Sequence, residues 1–386
     1  MLAKTPPMGW NSWNTFGTNI NEQLIIETAD VMANEGFLEA GYEYLVIDDC
    51  WSLRERDENG LLVADPEKFP HGMKYVADYV HSKGLKFGMY SCAGIWTCAG
   101  YPSSFDHEYL DAQTFADWGV DFLKYDFCNF PATADCKHRY HRMSMALKAT
   151  GRDILFSACN WGVEEPWKWM KSIGAHMYRS TGDIRDNYES FKEIALSQLD
   201  NLPYSSSGSF NDPDMLVVGM YGKGNVGFGG CTDEEYQTHF ALWCMFGVPL
   251  MMGGDMRDMS EASRKLLLNK DLIAINQDEE CRAPVVIRQT GDPFIQNNCV
   301  LFRHLSNGEF ALAFFNFNEE SEYAVETYGF SFDDIGIPFE CGYGLELTDV
   351  FTGENMGVKR EAFIPPVKAH SCKVYRGKLV KVDEKA

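Results

Sequence analysis

A cation and a carboxylate share one face of a short apolar segment near the middle of the chain. Residues 121–129 read Asp-Phe-Leu-Lys-Tyr-Asp-Phe-Cys-Asn. Because side chains alternate along a strand, Lys124 and Asp126 point to the same side. A nearby cation favours the ionised form of a carboxyl group, and covalent catalysis by an acid requires that form. Asp126 is therefore the candidate nucleophile, and Lys124 is its predicted charge partner.

A second carboxylate, Asp183, ends the segment Tyr-Arg-Ser-Thr-Gly-Asp at residues 178–183. Glycoside cleavage uses one ionised and one protonated carboxyl group. An ionised Asp126 nearby would raise the pKa of Asp183 by like-charge repulsion, which suits a general acid. The sequence gives no distance between the two groups, and a separation of about 5–5.5 Å would predict retention of configuration.

Other predicted strands also end in polar or aromatic side chains. These strand-end candidates are Trp13, Asp48, Asp49, Tyr90, Cys159, Asn160, Arg179 and Asp214. The adjacent Asp48 and Asp49 suit paired hydrogen bonds to sugar hydroxyl groups, and Trp13 offers a ring for stacking. If the strand ends converge, these side chains form one pocket together with Lys124 and both candidate catalytic acids.

Two other chemistries fit some of the same residues. Carboxylates could hold Mg²⁺, but Lys124 and Arg179 in the same pocket disfavour a cation, and the histidines typical of a zinc site are almost absent from the strand ends. Lys124 could form a Schiff base, but Asp126 would raise the pKa of its amine and oppose this. We therefore expect no metal and no cofactor.

Alternating strand and helix patterns run through the first part of the chain and predict a parallel sheet. Eight strand–helix units of this total length predict a (β/α)8 TIM barrel over residues 1–283, with a doubly wound sheet as the alternative. The predicted strands are Met8–Trp13, Tyr44–Trp51, Leu85–Cys92, Asp121–Cys128, Ile154–Trp161, His176–Ser180, Ser209–Leu216 and Pro249–Asp255. The predicted helices are Asn21–Glu39, Met73–Lys83, Asp106–Trp118, Lys137–Thr150, Glu165–Ile173, Tyr188–Leu199, Asp233–Phe246 and, as the last one, Glu261–Leu268.

The pattern changes after about residue 284, where short alternating segments replace helices. This predicts an antiparallel β-sandwich over residues 284–386, with a frayed tail from Lys378. We expect it to cap the barrel, since Tyr323, Tyr328 and Phe330 are weak candidates for a separate sugar-binding strip. The predicted strands are Pro284–Gln289, Cys299–His304, Phe310–Asn316, Glu322–Glu326 and Ser371–Tyr375.

The loop Val217–Thr232 is rich in glycine and also carries Met220, Tyr221 and Phe228. It follows the seventh predicted strand, so we expect it at the mouth of the barrel. It is either a flexible surface insertion or a segment that shapes the site or contacts another subunit.

Composition limits the classes of partner. The chain has 34 Lys and Arg against 56 Asp and Glu, a net charge of −22, which argues against nucleic acid and anionic membranes. No apolar run approaches the ~20 residues of a membrane span, and the first residues lack the apolar core of a signal peptide. A cytoplasmic protein is expected, or a secreted one if a leader was removed. The 12 cysteines lack zinc-site spacings and are expected to be mostly free thiols. A homo-oligomer stays open.

Seven motifs, in this order, resemble those of glycoside hydrolase family 27, the α-galactosidases and α-N-acetylgalactosaminidases. They are Met8–Trp13, Ile47–Trp51, Phe69–Gly72, Thr97–Gly100, Leu123–Asp126, Asn211–Met215 and Ile273–Asp278. The resemblance implies a (β/α)8 barrel followed by a β-sandwich, and a retaining exo-glycosidase that removes terminal α-D-galactosyl residues from an α-galactoside oligosaccharide or glycoconjugate.

The resemblance also implies roles for single residues. The family nucleophile falls on Asp126 and the acid/base on Asp183. Cys98 and Cys128 match a pair that is bridged in secreted relatives, whereas Cys50 lacks its partner and is expected to be a free thiol. The implied sugar contacts are Trp13, Asp48, Asp49, Tyr90, Lys124, Arg179 and Asp214.

Sugar preference is expected to depend on the end of the fifth strand, where Cys159 and Asn160 match the segment that faces the sugar 2-substituent. This segment resembles the α-galactosidase type more than the acetamido type. α-N-acetylgalactosaminidase and β-L-arabinopyranosidase are the alternatives on the same scaffold. A catalytically inactive sugar-binding barrel is disfavoured because Asp126 and Asp183 are both present.

Overall fold

Eight short parallel strands form the first sheet of the computed structural model, which describes residues 2–287, 298–319, 332–338, 341–360 and 365–382. The strands are β1 (Met8–Asn11), β2 (Tyr44–Val46), β3 (Lys86–Cys92), β4 (Phe122–Asp126), β5 (Leu155–Cys159), β6 (Met177–Arg179), β7 (Phe210–Asp212) and β8 (Leu250–Met252). Their spatial order is β7-β6-β5-β4-β3-β2-β1-β8. Leu216, just beyond β7, pairs in parallel with Met252 of β8 and closes the ring. The predicted (β/α)8 barrel is confirmed, and the doubly wound alternative is wrong.

Helices connect these strands and pack around them. They are α1 (Trp13–Phe16), α2 (Glu22–Asn34), α3 (Gly72–Ser82), α4 (Glu108–Trp118), α5 (Cys136–Ala149), α6 (Met170–Ile173), α7 (Tyr188–Gln198), α8 (Asp233–Phe246), α9 (Glu261–Leu267) and α10 (Lys270–Asn276). Two predictions were wrong here. Trp13 begins a helix instead of ending a strand, and α10 follows the helix that was expected to be the last.

Side chains at the helix starts explain where several of these helices begin. The Asn21 side chain accepts a hydrogen bond from the Leu24 amide, and the Asn187 side chain accepts one from the Ser190 amide. Thr232 and Glu235 form a reciprocal capping box at the start of α8. Such caps satisfy amide groups that have no partner within the helix. They fix the points at which the chain leaves each loop at the mouth of the barrel.

The second sheet is antiparallel, with the order β13-β12-β14-β11-β10-β9. Its strands are β9 (Val285–Ile287), β10 (Asn298–His304), β11 (Glu309–Asn316), β12 (Tyr343–Asp349), β13 (Asn355–Lys359) and β14 (Cys372–Lys381). The sheet belongs to the predicted C-terminal β domain, and its buried apolar face includes Phe302, Phe314 and Leu345. The boundary at residues 283/284 lies between α10 and β9 and stays a prediction.

One prediction for this domain was wrong, and another falls outside the described residues. Lys378 and its neighbours up to Lys381 belong to β14 and do not fray, because β14 lies between β11 and β12 and pairs with both. The predicted strand 322–326 and the aromatic residues Tyr323, Tyr328 and Phe330 lie outside the described part of the chain.

The β domain contacts the barrel mainly at α8. Arg303 of β10 is buried, and its Nη1 donates to the carbonyl oxygens of Cys244 and Met245 at the C-terminal end of α8, at 3.0 and 3.3 Å. A cation at the carboxyl end of a helix also compensates the helix dipole. This contact joins the sheet to the barrel.

Within the described ranges, no helix combines the length and the apolar character needed to cross a lipid bilayer.

Candidate active site

A cavity of about 250 Å³ lies at the C-terminal ends of the barrel strands. Barrel enzymes keep their chemistry at this end of the strands. The lining residues are Trp13, Asn14, Asp48, Asp49, Tyr90, Cys98, Lys124, Asp126, Cys128, Trp161, Arg179, Asp183, Asp214, Met215 and Val226. The structure therefore brings together every sequence-predicted site residue except Cys159 and Asn160.

Lys124 and Asp126 lie on the same face of β4, as the alternation rule predicted, but the closest acid to Lys124 is another one. Lys124 Nζ donates to Asp48 Oδ2 at 2.8 Å and lies 3.9 Å from Asp126 Oδ2. Asp48 Oδ2 also accepts from Asn11 Nδ2 at 2.8 Å. The predicted ion pair is thus a shared one, in which Asp48 takes the direct hydrogen bond.

Asp126 is only 5% exposed, and burial is the largest influence on its pKa. Burial raises the pKa of Asp126, because a charged group loses water there, while Lys124 and the Phe127 amide oppose the rise. The Phe127 amide donates to Asp126 Oδ1 at 2.8 Å. Oδ2, on the side of Lys124, is the less constrained oxygen. Lys124, the predicted charge partner, lowers the pKa of Asp126, but burial, which the prediction did not include, is the larger effect.

Arg179, at the end of β6, is held between two carboxylates. Its Nη2 lies 2.7 Å from Asp183 Oδ1 and 2.7 Å from Asp214 Oδ2. Arg179 and Asp214 are buried, whereas the Asp183 side chain is 73% exposed at the mouth. The Ile184 and Met215 amides also donate to Asp214, each at 2.8 Å. One guanidinium therefore sets the geometry of both acids.

The pKa of Asp183 moves in the direction opposite to the expected one. Partial burial raises it, but the charges of Arg179 and Lys124 outweigh that effect and hold the pKa below its usual value. Burial raises the pKa of Asp214, and Arg179 opposes that rise. Like-charge repulsion from Asp126 was expected to decide the protonation of Asp183, but the hydrogen-bonded Arg179 is closer and decides it in the unliganded protein.

Asp49 and Tyr90 form the wall next to Asp48. Asp49 Oδ2 accepts from the Ala99 amide at 2.9 Å, which ties the loop after β3 to the end of β2. Tyr90 is buried, and its ring lies beneath Lys124 Nζ, 5.3 Å from the ring centroid. The attraction between a cation and the face of an aromatic ring helps to hold Lys124 at the cavity floor.

Cys98 and Cys128 form a disulfide beside Asp126, with 5.0 Å between their Cα atoms. Cys98 is exposed and Cys128 is half-buried, so the pair borders the open cavity. Cys50 is a buried free thiol, as expected. The sulfur atoms of Cys98 and Cys128 and a carboxylate oxygen of Asp126 lie within 4.8 Å of one another, a spacing that could hold a metal ion. Cysteine binds metals as a thiolate, however, and the disulfide leaves neither sulfur in that form.

Comparison with known proteins places the chain in a family. Residues 5–278 match the alpha galactosidase A family, and residues 297–376 match the alpha galactosidase C-terminal beta sandwich domain. The chain belongs to the alpha-galactosidase family.

Individual members of the alpha-galactosidase family match nearly the whole chain. An alpha-galactosidase from Cyamopsis tetragonoloba is 41% identical over 375 residues, which cover 97% of this chain and 86% of that protein. The crystal structure of alpha-galactosidase I from Mortierella vinacea superimposes with a TM-score of 0.88 at 32% identity and covers 97% of each chain. The Saccharomyces cerevisiae alpha-galactosidase structure with raffinose has a TM-score of 0.86 at 28% identity and covers 98% of each chain.

Two residues predicted to contact sugar lie behind the cavity wall of this alpha-galactosidase family member. Asn160 is fully buried, and its Nδ2 donates to the Val163 carbonyl at 2.6 Å. The thiol of Cys159 is also buried, 3.8 Å from Arg179 Nη1. Asn160, which was predicted to face the sugar, does not line the cavity, because the chain turns sharply after β5 and places Trp161 in the cavity wall instead.

Four lining residues were not among the predicted site residues. Asn14 and Met215 directly follow Trp13 and Asp214, so adjacency to predicted residues was the available signal. Trp161 is the last residue of the predicted fifth strand, Ile154–Trp161, next to the predicted Asn160. Val226 belongs to the loop 217–232, which was expected at the mouth but had no assigned residue.

Proposed function

We propose that the protein hydrolyses terminal α-D-galactosyl residues of α-galactosides by a retaining double displacement. The observation that carries this proposal is the placement of Asp126 and Asp183 in one cavity with Asp48, Lys124 and Arg179, in a chain of the alpha-galactosidase family. The solved relative with raffinose supports an oligosaccharide as the class of substrate.

In the first step, Asp126 Oδ2 attacks the anomeric carbon and the bond from that carbon to the leaving oxygen breaks. Asp126 Oδ1 is held by the Phe127 amide at 2.8 Å, so the attacking oxygen is presented in a fixed orientation. Asp183 donates its proton to the leaving oxygen. The products are a neutral alcohol and a galactosyl ester of Asp126.

In the second step, water attacks the same carbon from the side that the alcohol left. The Asp183 carboxylate takes a proton from this water, and the ester bond to Asp126 breaks. Galactose leaves with its original anomeric configuration, and both carboxyl groups return to their starting states.

The charge arrangement sets a requirement for this mechanism. Asp183 must be protonated before the first step, yet Arg179 lowers its pKa in the unliganded site. A sugar hydroxyl that accepts a hydrogen bond from Arg179 weakens the interaction of Arg179 with Asp183. The substrate also excludes water from the site, which further favours the neutral form of Asp183. Substrate binding thus moves the pKa of Asp183 towards the value that a general acid needs.

We favour galactose over its 2-acetamido analogue and over L-arabinopyranose as the bound sugar. The segment at the end of β5, whose member in the cavity wall is Trp161, supports galactose over the 2-acetamido analogue. The 41% identity to an alpha-galactosidase over 97% of the chain supports galactose over L-arabinopyranose. A large ring at this wall reduces the space for an acetamido group.

The test uses nitrophenyl α-galactoside with the wild type, Asp126→Asn and Asp183→Asn. Asp153→Asn is the matched control, because Asp153 is an exposed acid that precedes β5 at the opposite end of the barrel. We expect kcat to fall by at least about a thousandfold in both catalytic variants and to stay unchanged in the control. Near-normal activity in either variant refutes the assigned roles.

Stereochemistry and sugar preference are measured with the same wild-type protein. NMR of the first-formed galactose should show the α-anomer, whereas the β-anomer would refute double displacement. Faster hydrolysis of the matching N-acetylgalactosaminide or β-L-arabinopyranoside would refute the preference for galactose.

A further inference from the structure

The loop 217–232 is fixed to the barrel by one buried acid. Asp186 is fully buried, and its carboxylate accepts from the Gly222 amide at 2.6 Å and from the Tyr236 hydroxyl at 2.8 Å. Its backbone amide donates to the Val226 carbonyl, and its carbonyl accepts from the Gly230 amide, each at 2.9 Å. Three backbone groups of the glycine-rich loop, those of Gly222, Val226 and Gly230, are therefore hydrogen-bonded to Asp186, which fixes the path of the loop.

The same loop is also hydrogen-bonded to the short helix α1, which follows β1. The Asn225 and Val226 amides donate to the carbonyl oxygens of Thr15 and Asn14, at 3.1 and 3.0 Å. A side chain at Gly224 would meet the Thr15 backbone at 2.7 Å, so this approach requires glycine. These hydrogen bonds favour a segment that shapes the site over a flexible insertion, and contact with another subunit stays a prediction.

Two exposed side chains lie on this loop or close to Asp183. Asp183 and Arg185 are both exposed, whereas Ile184 between them is buried. Asp186 pairs in parallel with Gly227. Asp183 and Val226 line the cavity, and the exposed Arg185 and Phe228 each follow one of them by two residues.

Arg185 and Phe228 contact each other. The Arg185 guanidinium carbon lies 4.7 Å from the centroid of the Phe228 ring, and Phe228 is 51% exposed. A cation–π contact of this kind holds an aromatic ring in place while one part of it stays open. The pair therefore offers an apolar surface, together with guanidinium donors that have no hydrogen-bond acceptor within the described part of the chain, two residues from the cavity-lining Asp183 and Val226.

The place of this pair matters because of what Asp183 does. An acid that protonates the leaving oxygen must touch the bond between galactose and its leaving group, so the leaving group lies over Asp183 and beyond it. We propose that Arg185 and Phe228 form the subsite for the leaving-group sugar, with the ring stacked on Phe228 and its hydroxyl groups accepting from Arg185. This inference rests on the proposed function and adds a specificity-determining contact to it.

The test compares two substrates that differ only in the leaving group. Melibiose carries a glucose leaving group that would occupy the subsite, whereas α-galactosyl fluoride carries only a fluorine atom. Wild type, Phe228→Ala, Phe228→Trp and Arg185→Met are assayed with both. Tyr204→Ala is the matched control, since Tyr204 is an equally exposed aromatic residue in the connection before β7, at the other end of the barrel.

We expect Phe228→Ala to lower kcat/KM for melibiose about five- to tenfold, with a smaller loss for Arg185→Met and near wild-type values for Phe228→Trp. The values for α-galactosyl fluoride should stay within about twofold of the wild type, as should both values for the control. Equal losses with both substrates, or no loss with melibiose, would overturn the subsite. Failure of the wild type to hydrolyse either substrate would instead refute the proposed function, and this inference with it.

Discussion

Replacing Arg179 by methionine should move the basic limb of the pH–rate profile to higher pH. Arg179 Nη2 lies 2.7 Å from Asp183 Oδ1, and its charge lowers the pKa of this carboxyl group. In the free enzyme, kcat/KM falls at high pH as the general acid loses its proton. Removing the cation raises the pKa of Asp183, so the protonated acid persists to higher pH.

The size of the shift follows from distance and exposure. Two unit charges about 4 Å apart interact by about 1 kcal/mol in water and by about 4 kcal/mol near a protein surface with an effective dielectric constant of about 20. The Asp183 side chain is 73% exposed, so the lower part of this range applies. About 1–2 kcal/mol corresponds to a shift of roughly one pH unit.

The assay measures kcat/KM for nitrophenyl α-galactoside across the pH range. The wild type and Arg179→Met are compared by the pH at which the basic limb falls, and not by the maximum rate. The maximum kcat/KM of the variant will fall as well, because Arg179 lies in the proposed sugar site. Lys171→Met is the control for the lost positive charge, since Lys171 of α6 contacts Ser206 at the opposite end of the barrel.

Asp214→Asn gives a shift of opposite sign. Asp214 competes with Asp183 for Arg179, and its removal leaves the guanidinium free to lower the pKa of Asp183 further. We therefore expect the basic limb to move to lower pH. A limb that stays in place in Arg179→Met, or that moves in the same direction in both variants, would refute the reasoning.

Two further predictions concern stability. The disulfide Cys98–Cys128 closes a loop with a sequence separation of 30 residues, so a Cys98→Ser/Cys128→Ser double variant should lose about 3–4 kcal/mol of unfolding free energy. In guanidinium denaturation, a dithiol reductant should lower the midpoint of the wild type and leave that of the variant unchanged. Equal stability of the two proteins would contradict this prediction. Arg303→Met should lower the free energy of unfolding by about 1–3 kcal/mol, because the buried carbonyl oxygens of Cys244 and Met245 lose their donor. Thermal unfolding measures the loss, with Lys373→Met, which removes a half-exposed cation on the same sheet, as the control. Equal melting temperatures of the two variants would show that the contact contributes nothing.

The alternation of strand and helix patterns in the sequence was enough to predict the barrel. The predicted bounds of α8, residues 233–246, agree with the structure. The helix α10 was missed because it is short and follows α9 directly. Its start is set by the Asn269 side chain, which accepts from the Asp271 and Leu272 amides. A cap of this kind changes the path of the chain without a glycine or a proline to mark it.

The charge partners in the site depend on neighbours that lie far apart in the sequence. Alternation along β4 correctly placed Lys124 and Asp126 on one face. The closest partner of Lys124, however, is Asp48, 76 residues earlier. Both were predicted at the mouth, but the side chain of one strand end meets that of another only through the twist and stagger of the barrel. A single sequence can therefore predict which residues gather, but not which two of them form the direct pair.

The cavity wall at the end of β5 could not be predicted from the sequence for a different reason, the backbone conformation. Alternation is a property of extended strands, and β5 ends at Cys159. Trp161 and Gly162 follow with φ of 57° and 85°, in the left-handed region. A side chain at Gly162 would meet the Ser180 carbonyl oxygen at 2.5 Å, so the turn needs glycine both for its φ and for its close approach to the end of β6. This turn buries Asn160 against Val163 and brings Trp161 into the cavity. Which side chain lines the cavity at this wall therefore depends on a two-residue turn, which alternation along the strand does not predict.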